Sequence, residues 1–152
     1  MSSAAWPCSN TVWPIAKRMG SESPATQQIH SGEDVVRVRQ TVRQEAAAAG
    51  LSLVEQTKLV TAASELARNV LEHGGGGEMT MERLRDPGRT GVRLVFVDRG
   101  PGIPDIEKAL TDGYTTRGGL GLGLGGARRL CNEFAIETQP GHGTRVTIAR
   151  WK

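Results

Sequence analysis

The stretch from Val95 to Gly126 constrains this chain most, because it joins a strand to an aspartate and then to two runs of glycine. The apolar and β-branched residues Leu94–Val97 predict a strand in the core of a sheet. The strand ends at Asp98, and Gly100 and Gly102 follow it closely. An acidic side chain at the end of a strand can accept a hydrogen bond from the amino group of a nucleotide base.

The second glycine run, Gly118–Gly126, follows a short predicted helix. Glycine has no side chain to hold a ligand away, so such a run lets backbone N–H groups approach an anion. A helix that begins near Gly123 would add the positive end of its dipole. The two runs together predict a nucleotide site, with Asp98 at the base and the second run at the phosphates.

Other interpretations of the glycines have less support. The chain contains no G-x-x-x-x-G-K-[ST] sequence, which excludes a P-loop. Gly121, Gly123 and Gly126 fit the dinucleotide pattern G-x-G-x-x-G. That pattern requires a strand immediately before it, and residues 112–117 are a poor strand. A glycine-rich surface loop without a ligand remains the alternative.

A helix upstream of the strand carries two polar candidates. Ser52–Glu55 forms a capping box, which predicts a helix that runs to about Glu72. Glu65 and Asn69 are four residues apart and therefore share one face of this helix. Its apolar stripe lies on another face and consists of Leu59, Ala63, Leu66 and Val70. Taken alone, the polar pair also fits a solvated helical face.

Four short motifs, in this order, resemble those of the GHKL ATPases, the superfamily of gyrase, Hsp90, histidine kinases and anti-sigma kinases. The motifs E-x-x-x-N, D-x-G-x-G, G-x-G-x-G and G-x-G-T are matched in turn by Glu65 and Asn69; by Asp98, Gly100 and Gly102; by Gly119, Gly121 and Gly123; and by Gly141, Gly143 and Thr144. Longer segments, among them ELARNVLEHGGGG and GGLGLGLGGARRLCNEF, are similar to the RsbT-type serine kinases of bacterial partner switching. Each motif is weak alone, and their order makes the signal specific.

The resemblance implies a role for each matched residue. Asn69 would bind Mg²⁺, and Glu65 would be the catalytic base. Asp98 would bind adenine, with Thr144 supporting the adenine site. The glycine motifs would form the hinge and lid over ATP. The chemistry of Asn69 agrees, because Mg²⁺ takes oxygen ligands and usually keeps water and substrate phosphates.

The function implied is that of an ATP-dependent protein serine/threonine kinase. Its substrate would be a STAS-domain antagonist, and on release it would bind and activate a PPM-type phosphatase in a bacterial stress or sigma-factor pathway. Two alternatives stay open: an anti-sigma factor kinase that sequesters a sigma factor, and a nucleotide-gated binding module without significant kinase activity. A detached histidine-kinase catalytic domain is disfavoured, because no histidine-bearing dimerisation helix precedes the motifs.

Composition excludes several other classes. The formal charge of +3 is too small to argue for nucleic-acid binding, and three Trp, two Phe and one Tyr leave no basic run with interleaved aromatics. No stretch approaches the roughly 20 apolar residues of a membrane helix, nor is there a signal peptide. Cys8 and Cys131 lie far apart without metal spacing, which indicates reduced thiols. We therefore expect a cytoplasmic protein that binds neither nucleic acid nor membranes.

The predicted organisation is one domain with an extension. Residues 1–28 are rich in Ser, Pro and small residues. They are predicted to be a disordered extension, or to result from translation that begins at an upstream start codon, with a short edge strand around Thr26–His30. Residues 29–152 form the GHKL ATPase/kinase domain. Periodicity indicates an α+β class, and the resemblance implies a GHKL (Bergerat-type) sandwich with a mixed sheet and helices packed on one face. Further helices are predicted at Gly32–Ala49, Asp105–Leu110 and Leu124–Glu133, and further strands at Met79–Leu84, Phe134–Thr138 and Thr144–Trp151.

Overall fold

The computed structural model describes residues 24–103 and 123–152. The helices are α1 (Gly32–Ala48), α2 (Leu53–Glu72) and α3 (Gly123–Arg129). The strands are β1 (Ala25–Ile29), β2 (Gly77–Asp86), β3 (Arg89–Asp98), β4 (Glu133–Gln139) and β5 (Gly143–Trp151). The predicted helix Asp105–Leu110 and the extension up to residue 23 lie outside the described residues.

Both long helices begin where their capping residues predict. The Ser31 hydroxyl accepts a hydrogen bond from the Asp34 N–H at 3.3 Å, and the Ser52 hydroxyl accepts one from the Glu55 N–H at 3.1 Å. Gly50 follows α1 with a φ of 86°, a conformation that glycine adopts without strain. The prediction of these two helices is confirmed.

The sheet has the strand order β1-β2-β3-β5-β4. The expected edge strand is β1, whose residues Ala25–Ile29 pair with β2. The sheet therefore includes the last four residues of the predicted extension, Ala25–Gln28. A two-residue turn at Pro87–Gly88 joins β2 to β3, as the sequence predicts.

The α+β class and the helices on one face are confirmed, whereas the expectation of a mixed sheet is wrong for the described strands. All four strand pairs are antiparallel. A helix between β3 and β4 suggests a parallel pair, and these two strands do run in the same direction. However, β5 lies between them and is antiparallel to both.

The core fills the space between the sheet and the helices. Sheet residues of one parity face α1 and α2, among them Met79, Leu94, Phe96 and Ile148, each at most 1% exposed. They meet Val38, Val42, Leu59 and Leu66 of the helices. Residues of the opposite parity, Leu84, Ala149 and Trp151, form a second small cluster on the other face.

The predicted helix Leu124–Glu133 is shorter in the structure, because α3 ends at Arg129. The chain then turns into the sheet: Asn132 donates its N–H to the Ala149 carbonyl at 3.0 Å, and Arg150 Nη1 donates to the Leu130 carbonyl at 3.1 Å. Cys131, which lies between Leu130 and Asn132 in this turn, packs against the core. Burial raises the pKa of its thiol to about 12, against a smaller opposing effect of Arg150, so it is protonated at neutral pH.

Candidate active site

Asp98 is the last residue of β3, where the sequence predicts a strand end. It lies opposite Gly77 of β2 and Thr144 of β5 in the ladder. Asp98 is 9% exposed, and its Oδ1 accepts a hydrogen bond from the Gly100 N–H at 2.9 Å. Glycine at position 100 packs against the Gly74 backbone, so a Cβ there would lie 2.7 Å from Gly74 Cα. The strand end and the D-x-G-x-G loop therefore form one compact unit around a buried carboxylate.

The electrostatic state of Asp98 follows from this burial. Desolvation raises the pKa of its carboxyl, and the backbone N–H groups of Gly100 and Thr144 oppose the rise, as does the charge of His73. A desolvated carboxylate gains free energy from any further hydrogen-bond donor. The side chain is therefore suited to accept a hydrogen bond from a ligand amino group.

Helix α2 ends directly against Asp98. His73 is its C-cap, and its N–H donates to the Asn69 carbonyl at 2.9 Å. Gly74 follows, and a Cβ at this position would lie 2.8 Å from Asp98 Oδ1 and closer still to the two adjacent carbons of that side chain. Only glycine lets the end of the helix approach so closely. None of the four sequence motifs includes Gly74, although the glycine run Gly74–Gly77 is a signal that could have indicated this role.

Glu65 and Asn69 lie on the last turns of α2, which lead to this junction. Glu65 is 5% exposed, although the sequence places it off the apolar stripe. Its burial reflects the position of α2, which packs against α1, α3 and the sheet. Within the described residues, neither the Glu65 carboxylate nor the half-buried Asn69 amide makes a hydrogen bond.

The G-x-G-T motif lies beside Asp98 at the start of β5. Gly143 has a φ of 110°, and its backbone packs on the Asp98 carbonyl so closely that a Cβ would overlap it. Thr144 is 6% exposed, and its Oγ1 lies 3.2 Å from Thr138 Oγ1. This approach explains why the motif requires glycine immediately before the threonine.

Five of the nine predicted site residues thus lie around the junction of α2 with the end of β3: Asn69, Asp98, Gly100, Gly102 and Thr144. Glu65 lies one turn before Asn69 on α2. Gly123 is the first residue of α3, as predicted, and α3 packs against α2. Gly119 and Gly121 lie outside the described residues, as does Arg117, a further candidate for phosphate contact.

The donor groups fit ATP with Mg²⁺. Gly100 and Gly143 pack against neighbouring backbone and Gly74 packs against the Asp98 side chain, so that Asp98 is the carboxylate at this strand end. Residues 24–103 and 123–152 contain no group of three or more His, Cys, Asp and Glu residues that could bind a metal ion. An amide oxygen such as that of Asn69 has the chemistry of an Mg²⁺ ligand, and Mg²⁺ usually keeps water and substrate phosphates as further ligands. None of the helices in the described ranges is long and apolar enough to cross a membrane.

Comparison with known proteins gives a consistent picture. Residues 54–152 match the family of histidine kinase-, DNA gyrase B- and HSP90-like ATPases. The chain is 42% identical over 118 residues to the serine/threonine-protein kinase RsbT of Bacillus subtilis, which covers 78% of this chain and 89% of that one. It is 29% identical over 106 residues to the anti-sigma F factor of Thermoanaerobacter sp., covering 66% of this chain and 73% of the relative.

Among solved structures, the fold matches the RsbU and RsbW domains of Rv1364c from Mycobacterium tuberculosis with a TM-score of 0.60 at 23% identity. That alignment covers 85% of this chain and 32% of the longer one, and at this identity it supports the fold alone. The family match spans the helix with Glu65 and Asn69, the strand with Asp98 and the closing Thr144. This chain belongs to the histidine kinase-, DNA gyrase B- and HSP90-like ATPases and, within them, to the RsbT-type protein serine/threonine kinases.

Proposed function

We propose that this kinase transfers the γ-phosphoryl group of ATP to a serine of a STAS-domain antagonist protein. On release it would bind and activate a PPM-type phosphatase, as a switch in a bacterial stress pathway. The proposal rests on one observation above all. The helix with Glu65 and Asn69 ends against the buried carboxylate of Asp98, so that groups suited to base recognition, metal binding and proton transfer share one end of the molecule.

Each residue has a chemical task in this proposal. The Asp98 carboxylate accepts a hydrogen bond from the amino group of adenine, and the Thr144 hydroxyl beside it completes the base site. The Asn69 amide oxygen binds the Mg²⁺ that accompanies the triphosphate. The second glycine run, with Gly119, Gly121 and Gly123, encloses the phosphates through backbone N–H groups. Bound Mg²⁺ supplies charge neutralisation at the β- and γ-phosphates.

Glu65 takes the proton in the transfer step. The serine Oγ forms a bond to the γ-phosphorus while the bond from that phosphorus to the β–γ bridging oxygen breaks. The serine proton passes to the Glu65 carboxylate, and ADP leaves with the bridging oxygen. The place of Glu65 favours this role, because it lies one turn before Asn69 on the helix that ends against Asp98. A base positioned next to the attacking hydroxyl contributes roughly 10²–10⁴-fold to such a transfer.

The switch follows from the charge of the product. A phosphoserine carries about −1.5 to −2 charges and would lie next to the carboxylate of Glu65 and the phosphates of ADP. Repulsion between these groups expels the phosphorylated partner and frees the kinase for the phosphatase. Sequestration of a sigma factor is the second candidate. The identity of 42% with a kinase, against 29% with an anti-sigma factor, favours the first.

The test is transfer of label from γ-labelled ATP to a purified STAS protein. Glu65→Ala should reduce the transfer rate by roughly 10²–10⁴-fold, because it removes the positioned base, and should leave ATP binding intact. Glu33→Ala is the control, since Glu33 is an exposed carboxylate in the first turn of α1. Undiminished transfer by the Glu65→Ala protein would exclude Glu65 as the base. Absence of transfer by the wild type to any serine of the STAS protein would refute the proposal as a whole.

A further inference from the structure

We propose that Thr138 is a positioning residue of the nucleotide site. Its hydroxyl holds the loop after Asp98, together with Thr144, in the arrangement that receives the base. This inference rests on the proposed function, which places the base of ATP at Asp98. Thr138 belongs to none of the four sequence motifs and lies near the end of β4, two strands away from Asp98 in the sheet.

The Thr138 hydroxyl contacts two segments of the chain, the loop after β3 and the start of β5. It accepts a hydrogen bond from the Ile103 N–H, in the loop after β3, at 2.8 Å. It lies 3.2 Å from the Gly143 carbonyl, to which it can donate, and 3.2 Å from the Thr144 hydroxyl. One oxygen therefore links the loop after β3 to the first two residues of β5, including the hydroxyl of Thr144.

The stoichiometry of a hydroxyl makes these contacts interdependent. A threonine hydroxyl has one proton to donate and two lone pairs to accept with. The Ile103 N–H occupies one lone pair, so the single proton goes either to the Gly143 carbonyl or to Thr144. In the first case Thr144 can donate to Thr138, and in the second its own proton is free. The direction of the Thr144 hydroxyl is thus coupled to that of the Thr138 hydroxyl.

The loop after Asp98 depends on the same hydroxyl for its position. Two hydrogen bonds join it to the β4–β5 hairpin: Ile103 N–H to Thr138 Oγ1, and Gly141 N–H to the Pro101 carbonyl at 3.0 Å. Between them lies Gly102, with a φ of 82°, where a Cβ would lie 3.0 Å from Thr138 Oγ1. Of the two hydrogen bonds, only the first uses a side chain and can be removed by substitution.

A shift of this loop would reach Asp98 directly. The Gly100 N–H belongs to the same loop and donates to Asp98 Oδ1 at 2.9 Å. Loss of the Thr138 hydroxyl leaves the Ile103 N–H without its acceptor, so that the loop must move to find water or leave a polar group unpaired. Movement of the loop would change the direction of the Asp98 carboxylate, and loss of the Thr138 hydroxyl removes a hydrogen-bond partner of Thr144. The effect falls on the part of the site that would bind adenine, whereas the proposed catalytic base Glu65 lies on a different element.

The experiment compares Thr138→Val with Thr138→Ser by calorimetry and by steady-state transfer. Valine has nearly the shape of threonine without its hydroxyl, and should raise both the Kd and the KM for ATP by about tenfold or more. At saturating ATP, kcat should stay within about threefold of wild type, because the substitution does not change the proposed catalytic base, Glu65. Serine keeps the hydroxyl and should restore the KM to within about threefold. Thr138→Cys gives the same comparison, through a weak hydrogen-bonding thiol, if the valine variant does not fold.

Thr80→Val is the matched control. Thr80 Oγ1 also lies 3.2 Å from a second threonine hydroxyl, that of Thr26, but in an exposed pair between β1 and β2. This control should bind ATP like wild type. An unchanged KM in a folded Thr138→Val protein would overturn the inference, as would a serine variant as defective as the valine one. If Asp98→Asn also binds ATP normally, the proposed base site itself is wrong. If Asp98→Asn alone is defective, only the role of Thr138 fails.

Discussion

Gly74→Ala tests the junction on which the proposed site depends. The added methyl group would lie 2.8 Å from Asp98 Oδ1 and nearer still to the carbons of that side chain. Gly74 is not among the glycines with a positive φ, so alanine can adopt its backbone conformation. The perturbation is therefore purely steric, and it acts on the contact between the end of α2 and the end of β3.

The size of the effect follows from the overlap. Heavy atoms pack at about 3.5–4.0 Å, so the helix end and the Asp98 side chain must separate by about 1 Å. Excess volume in a packed region costs about 1–3 kcal/mol of unfolding free energy. A displacement of about 1 Å in a positioned group can reduce catalysis by on the order of 10²-fold. We expect both losses, with the larger relative loss in ATP binding and transfer.

The assay combines denaturant unfolding with ATP titration, and Gly75→Ala is the control. Gly75 has a φ of 72° and open space around it, so alanine there strains the backbone by about 1–2 kcal/mol without touching Asp98. The two variants should therefore lose similar stability, but only Gly74→Ala should lose ATP affinity. A folded Gly74→Ala protein with wild-type ATP affinity would refute the reasoning, because the junction would then not determine the position of Asp98.

Three further predictions follow from individual groups at the site. Asn69→Ala should weaken ATP binding in the presence of Mg²⁺ and leave binding in EDTA unchanged; equal losses in both titrations would contradict its role as a metal ligand. The pKa of Asp98 is raised by burial above its ordinary value of 3.8, so the folded state holds this proton more tightly than the unfolded state. As the pH rises from 3.8 to the raised pKa, wild type should therefore lose unfolding free energy relative to Asp98→Asn. Urea unfolding between pH 3 and 6 measures this difference, and a gain in the stability of wild type over that range would contradict burial as the cause of the pKa shift. In the Glu65→Ala background with nucleotide present, the unphosphorylated STAS protein should bind about 5–30-fold more tightly than its phosphorylated form, and equal affinities would remove the mechanism of the switch.

The sequence predicts the local elements of this fold well, because their signals are local. Ser31 and Ser52 cap helices that begin one residue later, and Pro87–Gly88 forms the tight turn of the β2–β3 hairpin. Each of these signals depends on residues within one turn of each other. The strand that ends at Asp98 is predicted for the same reason, since an apolar β-branched run followed by glycines has few other structures available.

The parts that could not be predicted depend on contacts distant in the sequence. The insertion of β5 between β3 and β4 is a pairing choice over some fifty residues, which periodicity does not encode. The residues after the helix end at Arg129 bond to another element, because Arg150 of β5 donates to the Leu130 carbonyl, and no local stop signal marks this end. Likewise the roles of Gly74 and Thr138 arise only when α2, the loop after β3 and the β4–β5 hairpin meet around Asp98. The motifs locate the site, and the structure supplies the residues that hold it together.

The most direct test of the account is the affinity for ATP of Asp98→Asn, measured by calorimetry beside wild type and Asp86→Asn. Asp86 is a matched aspartate at the opposite end of the β2–β3 hairpin, where it pairs with Arg89. Asparagine at position 98 replaces one acceptor oxygen with an amide group, which presents a donor to the amino group of adenine. We predict that Asp98→Asn weakens ATP binding by about tenfold or more, whereas Asp86→Asn binds like wild type. Equal ATP affinity in all three proteins would contradict the placement of the base at Asp98 and with it the proposed site.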